Sequence, residues 1–172
     1  MDMISKGDFT EVVHHQGLCY AANRNTMTIH VFEQYANQWK QIKLFSLVAR
    51  SGTFITLGIS NDLIYVCSFE DHRIDTYTLN GVFRFTTGKQ GNRAAGELYW
   101  PRICDTDASG AALIADFGND RLHVLGVSGQ WRIVQLDPPV KRPWSACLVN
   151  DTLYVGHENE NGKQFISSYK SE

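Results

Sequence analysis

The sequence predicts an all-β fold made of a repeated unit: a β-propeller of about four blades, each of four antiparallel strands. Three observations predict it. Short runs rich in Val, Ile, Thr, Tyr and Phe fill the chain, and Asn, Asp, Gly and Ser break them at intervals of roughly 8–12 residues, the spacing of strands joined by turns. The segments 19–32, 64–77 and 112–125 lie over one another, each an apolar strand, a polar turn and a second apolar strand. Their equivalent positions Tyr20, Tyr65 and Leu113 are 45 and 48 residues apart, and a fourth copy, 153–169, follows 41 residues after Leu113. A period in the forties with four short strands per unit is a propeller signature, because each unit buries its apolar surface only by stacking on its neighbours.

The elements follow in order. The first unit, roughly 8–51, holds DFTEVVHH, GLCYAAN, TIHVFE and KQIKLFSL. Within it, 33–50 lacks Gly and Pro and is the one stretch where a helix competes; its second half alternates as a strand does, and a strand is expected there. The second unit, roughly 52–100, holds TFITLGI, DLIYVCSF, RIDTYTL and VFRFTT, then a long glycine-bearing loop. The third, roughly 101–142, holds RICDTD, ALIADF, RLHVLGV and WRIVQL. The fourth, roughly 143–172, holds SACLV, TLYVGH and QFISSYK and lacks an outermost strand. Residues 1–172 are thus expected to form a single propeller domain. With about four blades the ring is partial, self-closed or completed by dimerisation. An open ring exposes apolar surface and strand edges, which favours a homodimer.

Composition excludes several classes. The chain has 172 residues, 16 Lys+Arg and 18 Asp+Glu, a net charge of −2, with 43% hydrophobic residues. The charges are spread evenly, so no basic half points to nucleic acid. No apolar run reaches the roughly 18–20 residues of a membrane span, and the start, MDMISKGDFTE, lacks the order of a signal peptide. Cys19, Cys67, Cys104 and Cys147 form no C-x-x-C pair. They read as reduced thiols, packed where small residues fit, and a cytoplasmic location is expected.

The residues of 81–129 resemble the NHL-repeat propellers. Gly88, Gly91 and Gly96 space the loop, Pro101 opens the next strand, and Asp105 to Gly110 makes a turn. Ala115-Asp116 and Asn119-Asp120-Arg121-Leu122 match the family's hallmark, and Asp71-His72-Arg73-Ile74 repeats it one unit earlier. Unit one has Asn25-Thr26-Met27-Thr28 there, and unit four carries the insertion HENENGK. The resemblance implies that Asp116 and Arg121, and Arg73 in unit two, hold neighbouring strands and turns together. Asn23, Ser68 and His157 take the place of Asp116 in the other units. NHL-like rings usually close with six blades, more than this chain holds. One setting the resemblance implies is the recognition end of a tripartite-motif ubiquitin ligase, without RING or B-box cysteines here. Another is a metal-dependent lactonase or lyase with ligands near the axis, though no ligand can be assigned by residue.

Local motifs for chemistry are few. Asp105-Thr106-Asp107-Ala108-Ser109-Gly110 looks like half a calcium loop with Asp116 at position twelve; it lacks flanking helices, and a hairpin turn explains it better. Gly88-Lys89-Gln90-Gly91 lacks the ending of a phosphate loop. His14 and His15 point to opposite faces of a strand, and no other His pairs locally among His30, His72, His123 and His157. No G-x-S-x-G occurs. No catalytic residue, cofactor or metal site is expected.

The loop 84–102 is the most informative surface. It carries Arg84, Lys89, Arg93 and Arg102 against Glu97, with Tyr99 and Trp100. In a propeller this loop shares a face with the turns after the second strands, which brings Lys89, Arg93 and Trp100 near Phe69, Glu70, Phe117 and Asn119; with Tyr99, the residues expected to bind are Lys89, Arg93, Tyr99, Trp100, Phe69, Phe117 and Asn119. Exposed aromatics beside Arg are what protein-binding hot spots use. The expected function is a non-catalytic module binding a protein or peptide on this face, a scaffold with no membrane partner. The alternative partner is single-stranded RNA, which also uses stacked aromatics and cations; the acidic balance counts against it.

Overall fold

A computed structural model describes residues 8–48 and 54–170. The unit boundary expected at 51/52, the first seven residues of the start read for a leader and the last two of unit four lie outside the described residues.

Three four-stranded antiparallel meanders and one three-stranded meander follow one another. The first is β1 (Phe9–His15), β2 (Leu18–Asn23), β3 (Thr28–Tyr35) and β4 (Gln38–Ser46). Next comes β5 (Ile55–Ser60), β6 (Leu63–Ser68), β7 (Arg73–Thr78) and β8 (Phe83–Thr87). A two-residue parallel ladder, β9 (Lys89–Gln90) against β10 (Glu97–Leu98), closes the intervening loop. The third sheet is β11 (Pro101–Thr106), β12 (Ala112–Asp116), β13 (Arg121–Leu125) and β14 (Trp131–Val134), and the last is β15 (Ser145–Val149), β16 (Thr152–Glu158) and β17 (Gln164–Lys170). No α-helix occurs among the described residues, and the described part of the stretch expected to compete as a helix, 33–48, is strand wherever it is regular. The fold is an all-β propeller arrangement of four successive blades.

Packing explains the order. β1 lies against β5, β5 against β11 and β11 against β15, so the first strand of each blade lines the inside of an arc. No closed sheet is found among the described residues. Three apolar seams hold the blades together. Tyr20, Ile29 and Val31 meet Leu57, Ile64 and Val66. Tyr65, Cys67 and Ile74 meet Ile103 and Ile114. Ala115 and Leu122 meet Val155. Alternation along β6 makes the second blade a filling between neighbours: Ile64 and Val66 face one seam, Tyr65 and Cys67 the other. That is why its strands read as unbroken buried runs rather than alternating ones. At the inner strands backbone approaches side chain: a Cβ added at Gly58 would meet Ile103 Cγ2 at 2.6 Å.

Polar bonds stitch both ends of the central seam. Ser60 Oγ donates to Asp107 O at 2.6 Å and Tyr65 OH to Gly110 O at 2.7 Å. The turn 107–111 is a hairpin: Asp107 Oδ1 accepts from Ser109 Oγ and from Ala111 N, and Gly110 takes φ +93. At the opposite end lies the loop between β8 and β11, against the β6–β7 and β12–β13 turns.

Candidate protein-binding face

Asp116 is the hub of this face. It is fully buried at the end of β12. Its Oδ1 accepts from Tyr99 N at 2.6 Å. Its Oδ2 accepts from Asn119 Nδ2 at 2.8 Å and Arg121 Nε at 3.1 Å, and lies 3.1 Å from His123 Nε2. Arg121 reaches on to Glu97 O at 2.8 Å and Ala94 O at 3.3 Å, and Asn119 Nδ2 also donates to Gly91 O at 2.8 Å. One carboxylate thereby ties the loop 91–99 to the third blade, and a buried charge is tolerable because donors surround it. Within the loop, Glu97 receives the Arg93 and Ala94 backbone N–H groups and the Lys89 ammonium, which hold its carboxyl down to about 2.

Rings crown this scaffold. Phe69 stacks on Trp100 with centroids 5.7 Å apart and planes 8° apart. Tyr99 lies 4.6 Å from Trp100 and 5.1 Å from His72, while Phe117 closes to 6.4 Å of Trp100. Phe54 meets Phe69 edge-on at 6.3 Å. Trp100 is 38% exposed and Phe54 36%. Trp100 sits at φ +56, a conformation a bulky residue keeps only when its surroundings hold it. They do: its N–H donates to His72 Nδ1 at 3.0 Å. His72 therefore carries its proton on Nε2, and burial lowers its pKa against the pull of Asp71 and Asp116. Beside the shelf, Gln90, Gly91, Asn92, Tyr99, Gly118 and Asn119 line an open cleft of about 410 Å³.

Phe69, Tyr99, Trp100 and Phe117 form one contiguous shelf. Lys89 and Arg93 sit on the adjoining loop, outside the ring contacts, with Lys89 engaged by Glu97 at 3.2 Å. Asn119 is a strut between Asp116 and Gly91 rather than a free surface amide. Arg73 differs from Arg121: it pairs across the ladder with Ser68, which offers no carboxylate, and its Nε is buried without a partner. Sequence reasoning missed Phe54, and gave His72 and Arg102 no role in the shelf. A signal existed. Phe54 and Trp100 each precede the inner strand of a blade, 46 residues apart, and Phe69 and Phe117 each follow a second strand, 48 apart. Among the described residues no group of three His, Cys, Asp or Glu side chains converges as a metal site would require.

No family model matches the chain, and no curated protein matches it in sequence. Solved structures do match. Virginiamycin B lyase from Staphylococcus aureus superposes with a TM-score of 0.65 at 15% identity over 98% of this chain and 57% of that one. A protein of unknown function from Bacteroides thetaiotaomicron gives 0.74 at 18% identity over 96% and 48%. The computationally designed Ika4 protein gives 0.53 at 8% identity over 98% and 95%. The chain thus spans about half the length of the first two. Likeness at such identities shows the fold alone, a propeller. No described helix is long and apolar enough to cross a membrane.

Proposed function

We propose that this chain is a non-catalytic interaction module of NHL type that binds a protein or peptide on the face carrying Trp100. The observation that carries the reading is the half-exposed Phe69–Trp100 stack, held at a positive-φ backbone by two buried polar anchors. Rigid, exposed aromatics at the centre of a structured patch are how a binding surface gains affinity without ordering costs. The four thiols, all free, suit a reducing compartment. RNA is the weaker reading. Lys89, Arg121, Lys141 and Arg142 on this side are each matched by a carboxylate, whereas a phosphate chain needs a run of available cations. The lyase reading rests on fold likeness alone.

The test is selection of displayed random heptapeptides on the immobilised chain. Wild type is expected to enrich peptides well above background. The double variant Arg93→Glu, Trp100→Ala is expected to lose that enrichment while melting at an unchanged temperature. Equal enrichment by both proteins would exclude this face, and an unfolded variant would make Trp100 a core residue.

A further inference from the structure

Arg102, the second residue of β11, stands two positions after Trp100. Its guanidinium carbon lies 5.0 Å from the Phe54 ring centroid and 5.3 Å from that of Phe69. It makes no ion pair among the described residues, and its Nε is buried without a hydrogen-bond partner. Among the described residues, carboxylates match Lys89, Arg121, Lys141 and Arg142 but not Arg73, Arg93 or Arg102, and of these three Arg102 is the one that lies over the rings of the shelf. Glu11 on β1 feels its charge but does not pair with it; burial, the larger effect, pushes the Glu11 carboxyl up.

A guanidinium lodged between two rings that stand 70° apart, with its Nε buried, has already lost part of the freedom that an arginine ordinarily loses on binding. What it lacks is an acceptor. An unpaired buried donor is costly, so an incoming carboxylate gains more here than at a solvated arginine. Next to it, the Phe69–Trp100 stack offers an apolar surface of one side chain's width. In an extended peptide, side chains two positions apart point the same way, roughly 6.5–7 Å from one another. Arg102 Cζ and the Trp100 ring each lie within 6 Å of Phe69, which suits such a pair.

We infer that the ligand of this face is an extended peptide segment with an acidic residue two positions from an aromatic one, the carboxylate seated on Arg102 and the ring on Trp100. The inference rests on the peptide-binding reading above. A phosphate chain would present a row of charges to a face where carboxylates already engage Lys89, Arg121, Lys141 and Arg142, so a peptide carboxylate fits better than RNA.

Sequencing the heptapeptides selected on three proteins separates the possibilities. Wild type is expected to enrich Asp or Glu two positions from Phe, Tyr or Trp. Arg102→Gln is expected to keep the aromatic preference, lose the acidic one and bind the wild-type peptides about tenfold or more weakly. Trp100→Ala is expected to lose the aromatic preference. Selection of aromatics without acids by wild type, or an unchanged acid preference in Arg102→Gln, overturns this inference and leaves the shelf reading standing. No enrichment on wild type, or an unchanged set on Trp100→Ala, overturns both. Octauridylate binding that depends on Trp100 and Arg102, without peptide enrichment, overturns both in favour of RNA.

Discussion

Trp100 shows how much one residue's neighbours must do. Its left-handed backbone survives because an imidazole accepts its N–H and a buried carboxylate accepts that of Tyr99. The acceptor role requires His72 to be neutral. Its folded pKa lies below the usual histidine value, so the unfolded chain takes up the proton first. The stability His72 contributes is therefore complete above about pH 6.5 and is lost as pH falls through that value towards the lower folded pKa. Thermal melts of wild type and His72→Asn, compared from pH 7.5 to 5, should show wild type losing its advantage on acidification; a difference that stays flat would remove His72 from the account. The shelf's rings were legible in the sequence because the repeat spaces them. The His72 contact was not, since a backbone N–H twenty-eight residues away leaves no trace in spacing.

Elements cohere here through a loop rather than through strands alone. The loop between β8 and β11 has one two-residue ladder of its own; its shape comes from Asp116, Asn119 and Arg121, which reach into it from the third blade. Removing the hub carboxylate leaves a guanidinium and several N–H groups unmatched. Asp116→Ala is expected to cost about 3 kcal/mol or more, the range for breaking a buried ion pair from one side. Chemical denaturation measures it, and a neutral result would mean that water replaces the carboxylate. The strands themselves were readable from alternation and turn residues. The β9–β10 ladder was not, because two residues carry no period.

The whole molecule is an arc whose two ends differ from its middle. Among the described residues the second blade is covered on both sides, but the first and last are each covered on one. Val13 packs into the first seam, so Val12, 58% exposed, points the other way. Val155 packs into the third seam, so Tyr154 points outward, and Ile166, beside Gly156 on that outer side, is 76% exposed. We propose that two copies cover these faces in each other, the first blade of one against the last of the other, as closed symmetry allows. Light scattering at micromolar concentration should give the mass of two chains, and Val12→Asp with Ile166→Asp the mass of one. A wild-type mass of one chain at every concentration would refute the pairing. The number of blades could be counted from the repeat. Whether they meet in a ring could not, because closure depends on where β15 lies relative to β1, and no local pattern records that.

The aromatic shelf belongs to two blades at once. Phe54, Phe69 and His72 come from the second, while Trp100, Arg102 and Phe117 flank or belong to the third. Anything that grips both sides acts as a rivet across that joint. For a ligand that bridged the two blades, stiffening the joint and tightening the grip would be the same act.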